Sequence, residues 1–160
     1  MKLMRVLMLL IAITLVLPIC VWAWEGKVVQ VVAGDHLRVL KSETPVDVIL
    51  AAVDCPEPGQ PYAETARAFV ADLANGKRVT VWALGKDAHG SVIAQVFTDK
   101  VNLSKALLQA GLAWHIRQHP VDMTHTTLEM SARAAQKGLW RQPHPVPPWE
   151  YRRSKHQGRP

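Results

Sequence analysis

Cysteine is scarce in this sequence, and the scarcity limits how the fold can be stabilised. Only Cys20 and Cys55 occur among 160 residues, and Cys20 lies in an N-terminal segment that we expect to be removed. The single thiol that then remains excludes an intramolecular disulfide. Stability must therefore come from a packed core, and a chain of this length can bury a real one within a single modest domain.

Long apolar runs are also scarce, because only one occurs, and it stands at the N-terminus. Lys2 and Arg5 precede an uncharged, strongly apolar run at 6–17, and small residues follow a few positions later. This pattern is typical of a secretory signal peptide, and the run is short for a membrane-spanning helix. We therefore predict a signal peptide at 1–23 and an exported protein, periplasmic or secreted, without stable membrane insertion after cleavage. An uncleaved membrane anchor is the alternative, because positions 20–24 are also fairly apolar.

Acidic residues are fewer than basic ones. The chain has 13 Asp and Glu against 19 Lys and Arg, for a formal net charge of +6. Loss of the signal peptide would remove two basic residues and no acidic residue, so the mature chain stays positive. A positive balance weakly favours an anionic partner and carries no information about the fold.

Runs of β-branched and apolar residues predict five short strands. They cover positions 25–32, 37–40, 46–53, 78–84 and 92–97. Helical periodicity predicts three helices: they run from Ala63 to the Asn75-Gly76 stop, from Leu103 to Gly111, and over 123–137. Five strands with one helix between the third and fourth suit a five-stranded barrel of the oligonucleotide-binding (OB) type with three helices, in the α+β class.

The end of the chain differs in composition from the domain that we place at 24–140. Residues 141–160 contain repeated prolines and several basic residues. Such a composition is typical of an extended polyproline-like strap that leads into a disordered tail. Trp149 and Tyr151 are candidates to pin this strap to the domain.

Four segments resemble, in order, the motifs of the staphylococcal-nuclease-like (thermonuclease) family. They are the Gly-Asp turn at 31–37, the strand and Asp-Cys-Pro-Glu loop at 50–57, the turn at 85–91 and the Pro-Val-Pro-Pro-Trp-Glu segment at 145–150. The resemblance covers nearly all of the mature chain, which makes it far more specific than any single motif.

The resemblance implies phosphodiester hydrolysis of DNA or RNA with Ca²⁺ as the cofactor. Asp35 and Asp54 match the family's metal-holding carboxylates, and Glu57 matches its general base. Carboxylate oxygens are the ligands that Ca²⁺ prefers, and a carboxylate can activate the attacking water. We expect the three acids to converge at one mouth of the barrel.

The sequence also departs from the family's pattern. Ile49 and Ser91 stand where the family has its two catalytic arginines. One transition-state arginine in phosphoryl transfer contributes on the order of 10³–10⁵ in rate, so loss of both predicts absent or strongly reduced nuclease activity. Arg38, in the strand after Asp35, is a possible substitute cation.

Three functions therefore stay open at this stage. The chain is a binding module for nucleic acid or another anion, an active secreted nuclease that uses a substitute cation, or an exported protein-interaction domain. The barrel hosts many functions, so the fold alone does not choose among them. We expect a monomer in each case.

Two further clusters have a functional and a structural interpretation. Cys55 is either a reactive thiol or a small residue that fills a tight loop, and the second interpretation is favoured because no adjacent base is identifiable. A zinc site is one interpretation of the three histidines His115, His119 and His125. Pro120 breaks the helix that such a site would need, and we instead predict a solvated loop.

Overall fold

The computed structural model describes residues 22–117 and 123–157. The predicted signal peptide lies almost wholly outside these ranges, and so does His119. Within the described ranges, no helix is both long and apolar enough to cross a membrane.

Five strands close into a barrel around the core, and this confirms the predicted fold. They are β1 (Trp22–Ala33), β2 (His36–Lys41) and β3 (Thr44–Leu50), followed after two-residue strand β4 (Val53–Asp54) by β5 (Arg78–Lys86) and β6 (Val92–Thr98). Their order is β3-β2-β1-β5-β6, and a parallel pairing of β3 with β6 closes the ring. The short strand β7 (Val101–Asn102) extends the sheet by pairing with β6. A second short strand, β8 (Trp114–His115), pairs with β4.

Alternation along the strands directs one set of side chains into the barrel. Val28, Leu37, Val39, Val48 and Val81 are all completely buried. Full burial of one such side chain stabilises the fold by about 1.5–3 kcal/mol. The packed interior, and not a disulfide, is therefore the source of stability.

The helices lie at the predicted places, with one addition. They are α1 (Ala63–Ala74), α2 (Leu103–Ala110), α3 (Met123–Ala134) and α4 (Pro148–Gln157), with a short 3₁₀ turn at Gly138–Arg141. The Asn102 side chain caps α2 by accepting a hydrogen bond from the Lys105 amide at 3.0 Å. Gly111 ends α2 in the left-handed conformation, with φ 70°.

Helix α4 overturns the prediction of a disordered tail. Pro148 stands at its first position, where a missing amide hydrogen is tolerated, and it is almost completely buried. The Trp149 ring packs edge-to-face on Trp114 with ring centroids 5.7 Å apart. A short polar helix is marginal in isolation, so packing against the domain stabilises α4.

A second, smaller core joins α3 to β8. The Trp114 and Trp140 rings meet edge-to-face at 4.5 Å, and the Arg133 guanidinium lies over both rings. His115 and His125 are buried beside this cluster, with their rings stacked at 5.7 Å. The predicted solvated loop is therefore wrong for these two histidines.

Candidate active site

Asp35 occupies the tight turn between β1 and β2, which pairs Ala33 with His36. Its Oδ2 accepts a hydrogen bond of 2.7 Å from the backbone amide of Cys55. Gly34 makes this close approach possible, because a Cβ atom there would lie 2.7 Å from the Cys55 Sγ and 2.8 Å from the Ala66 Cβ. The turn and the loop after β4 are thus locked together around this carboxylate.

Asp54 ends β4, which pairs with β8 in a small sheet separate from the barrel. The β4–β8 pairing sets Asp54 opposite Trp114, and the carboxylate residue is only 6% exposed. Two bonds fix the connection that leads into β4: the Ala51 amide donates to the Ala94 carbonyl, and the Ser104 hydroxyl donates to the Ala51 carbonyl at 2.9 Å. A buried carboxylate in such a rigid position requires a compensating positive charge.

Glu57 lies three residues further on, in a loop tied to the C-terminal segment. Its backbone amide donates to the Gln60 Oε1 at 2.8 Å, and the Gln60 Nε2 donates to the Val146 carbonyl at 2.9 Å. Gln60 is therefore the bridge that connects the Glu57 loop to the segment leading into α4.

Asp54 and Glu57 lie close enough to Asp35 to affect its ionisation. Burial, together with the negative charges of Asp54 and Glu57, raises the pKa of Asp35 from an ordinary 3.8 to about 6. The hydrogen bond from Cys55 acts in the opposite direction. Asp35 therefore lies beside the loop that carries Asp54 and Glu57, to which its hydrogen bond with the Cys55 amide ties it.

Arg152 of α4 enters this cleft, and the sequence did not predict it. Its Nη2 and Nη1 donate to the two carboxylate oxygens of Asp54 at 2.8 and 3.2 Å, and Nη1 also donates to the Glu57 Oε1. The hydrogen bond to Asp54, followed by that to Glu57, holds the pKa of the guanidinium above its usual range. This is a forked, charge-assisted contact of the kind that arginine forms best.

Arg38, the predicted substitute cation, lies elsewhere. It points outward from β2, where its Nε donates to the Asp47 Oδ1 at 3.0 Å and its Nη1 reaches the Gln30 Oε1 at 3.5 Å. Among the residues that the structure describes, Arg152 is the arginine that hydrogen-bonds to the acidic cluster.

The two positions without arginine have settled local roles. Ile49 is a half-buried apolar residue of β3, paired in register with His36 on one side and Ile93 on the other. Ser91 closes the β5–β6 turn, where its amide donates to the Asp87 Oδ1 at 2.8 Å. Neither position supplies a positive charge to the cleft.

Sequence comparison gives the family. The profile described as "Staphylococcal nuclease homologue" matches residues 47–142, more than half of the chain. An "Uncharacterized endonuclease" of Escherichia coli is 35% identical over 132 residues, which cover 82% of this chain and 86% of the relative. The chain belongs to the staphylococcal-nuclease-like family. A "Micrococcal nuclease" of Shigella flexneri is also similar, 32% identical over 155 residues and 89% of each chain.

The matched span shows which parts of this staphylococcal-nuclease-like chain are common to the profile. It includes Asp54, Glu57 and the positions of Ile49 and Ser91, whereas α4 lies beyond its end. Arg152 therefore reaches Asp54 and Glu57 from a segment outside the profile.

Staphylococcal-nuclease-like enzymes are generally calcium-dependent, so the fit of these acids to that ion bears on the chemistry of the site. Asp35 and Asp54 offer the hard oxygen ligands that Ca²⁺ needs. However, both carboxylate oxygens of Asp54 already accept hydrogen bonds from Arg152. Over residues 22–117 and 123–157, no three His, Cys, Asp or Glu side chains are grouped as an ion site. In this arrangement the residues do not fit a bound calcium ion.

Proposed function

We propose that this staphylococcal-nuclease-like domain is exported and binds nucleic acid or another polyanion, with nuclease activity that is absent or strongly reduced. The observation that carries the proposal is that no guanidinium group among the described residues is shown free to face a phosphate beside the acids. Positions 49 and 91 supply none, and Arg152 is engaged with Asp54 and Glu57. An N-terminus at Trp24 in the exported protein, measured by mass spectrometry, would support the export.

Hydrolysis of a phosphodiester needs positive charge that is free to face the phosphoryl oxygens. Here both terminal nitrogens of Arg152 donate to carboxylates instead. Glu57 is the general base by resemblance, yet its Oε1 accepts a hydrogen bond from the same guanidinium. The oxygen that accepts this hydrogen bond is already engaged and is less available to take a proton from the attacking water. Both contacts reduce the expected rate.

Binding, by contrast, requires only accessible positive charge. Arg153 and Lys155 are exposed on α4, the helix that delivers Arg152 to the acidic cleft. Contacts with a phosphate backbone depend on such charge more than on base recognition, and they weaken as counterions compete. The basic end of the chain therefore supplies the means of holding a polyanion beside the cleft.

Two measurements on the purified mature protein test the proposal. Labelled single- and double-stranded DNA is incubated with Ca²⁺ or with a chelator, and binding of the single strand is titrated at several salt concentrations. We expect negligible cleavage and an affinity that falls steeply with salt. Chelator-sensitive turnover at the level of ordinary family members would refute the reduced activity. Absence of binding would favour the third hypothesis, an exported protein-interaction domain.

The contact of Arg152 with the acids also favours a second candidate, an active secreted nuclease in which Arg152 is the substitute cation. In that case Arg152→Ala abolishes cleavage, whereas Arg141→Ala, at an exposed position in the 3₁₀ turn, leaves it unchanged. Under the first candidate, neither variant changes an activity that is already negligible.

Restoring the arginines provides a constructive test. The double variant Ile49→Arg/Ser91→Arg is expected to raise cleavage by on the order of 10³ or more if the acids form an otherwise competent site. The matched variant Ile49→Lys/Ser91→Lys should gain far less, because an ammonium is a point charge without the planar fork. Equal rates for both double variants would contradict the role assigned to the guanidinium geometry.

A further inference from the structure

Arg152 is held in the cleft by a docked helix. Besides the burial of Pro148 and the contact of Trp149 with Trp114, the Tyr151 hydroxyl packs so closely on Gly59 that an added Cβ would lie 3.0 Å from it. The Glu57 loop and α4 therefore position each other. The guanidinium is presented to the acids by packing that is independent of the ion pairs themselves.

The ion pairs compensate charge in the place where a metal would do so. Asp54 is buried, and a buried carboxylate without a partner is strongly unfavourable. Arg152 satisfies both of its oxygens and reaches Glu57 as well. One fixed cation thus neutralises much of a cluster that, in a calcium-dependent family, would be neutralised by a divalent ion.

We propose that Arg152 is a built-in cation of this site, which occupies the space between Asp54 and Glu57 and competes with divalent metal ions for the Asp54 carboxylate. Metal binding at Asp35 and Asp54 then requires the guanidinium to leave Asp54. The two events are coupled reciprocally, so a bound metal also weakens the hold of α4 on the cleft. The inference concerns the same cleft as the proposed function, but it does not depend on whether the protein cleaves or binds nucleic acid.

The test is a calcium titration of the full mature chain. Binding is measured by calorimetry and by the shift that Ca²⁺ causes in the midpoint of thermal unfolding. In Arg152→Gln the forked ion pair is lost, and we expect Ca²⁺ to bind at least about tenfold more tightly than in the wild type, because removal of one opposing charge-assisted pair has this order of effect. Arg153→Gln is the matched control, since it removes the same charge from the next residue of the same helix. It should change the affinity by about twofold or less, because exposed charges are screened.

Two further variants keep the result interpretable. Asp54→Asn in the Arg152→Gln background should cancel the gain, because the carboxylate for which the two cations compete is then absent. If Arg152→Gln fails to fold, Arg152→Lys decides, since it retains the charge but not the fork and should still bind Ca²⁺ severalfold more tightly than the wild type. The proposal is overturned if the substituted protein binds Ca²⁺ no better than the wild type, or if Arg153→Gln gains equally. Because no nucleic acid is present, either result stands apart from the cleavage and binding assays.

Discussion

Asp35 gives the sharpest test of the electrostatics in the candidate active site. Burial, with the nearby charges of Asp54 and Glu57, raises its pKa from 3.8 to about 6. The folded state therefore binds a proton more tightly than the unfolded chain does. The stabilisation that this tighter proton binding gives the folded state is fully present below pH 3.8 and is lost as the pH rises through about 6. At about 1.4 kcal/mol for each pKa unit, the ionised carboxylate destabilises the fold by about 3 kcal/mol at pH 8.

Asp35→Asn removes that charge and keeps an oxygen that can accept the hydrogen bond from the Cys55 amide. We expect the variant to exceed the wild type in free energy of unfolding by up to about 3 kcal/mol at pH 8, with the difference vanishing near pH 4. Urea unfolding followed by tryptophan fluorescence, in chelator and at constant ionic strength, measures it. A difference that is constant across this range, or a less stable variant at pH 8, would refute the reasoning.

Asp87→Asn is the control with the opposite sign. Although slight burial acts in the other direction, hydrogen bonds from the Ser91 and His89 amides hold the pKa of Asp87 below its ordinary value. Its contribution to stability is therefore present above the unfolded pKa and is lost as the pH falls. This variant should be less stable than the wild type at neutral pH, and the gap should close on acidification.

The remaining predictions concern a thiol and a turn. Cys55 is 3% exposed, and burial, with the charges of Asp35 and Asp54, raises the pKa of its thiol, so a thiol reagent should leave the folded mature protein unmodified and label one cysteine after unfolding. Rapid labelling of the folded protein would contradict the packing interpretation. Gly111→Ala should lower the free energy of unfolding by at least about 2 kcal/mol, because φ is +70° and the new Cβ would lie 2.4 Å from the Lys137 carbonyl oxygen. Gly76→Ala is the control, because its φ is also positive but its new Cβ would meet no atom within 4 Å. It should lower the free energy of unfolding by less. The difference between the two variants, measured by the same denaturant titration, is the cost of the steric clash at Gly111.

The barrel was accessible from the sequence because its signals are local. Each strand of the ring begins or ends near a β-branched run that the periodicity identified, and the helix stop at Gly111 depends on one residue's backbone freedom. The differences come from pairing partners. Within the described residues, strand β1 already includes Trp22, three positions before the predicted start, because its antiparallel pairing with β5 extends to Ala83.

Helix α4 could not be predicted in the same way. Repeated prolines and a polar composition favour an extended tail when they are considered alone. The segment is helical because Pro148 suits a first helical turn and because the Trp149 ring packs on Trp114, which is distant in the sequence. Local propensity was overridden by docking, which no periodicity within the segment encodes.

The sequence by itself indicated the family, predicted the three candidate acids and showed that positions 49 and 91 lack arginine, because these are properties of residue type and spacing. Only the tertiary structure decided which cation meets the acids. Arg152 is 98 residues from Asp54 and 95 from Glu57. Their contact exists because the packing of α4 on the loop and on Trp114 carries one guanidinium to a buried carboxylate that needs a positive charge.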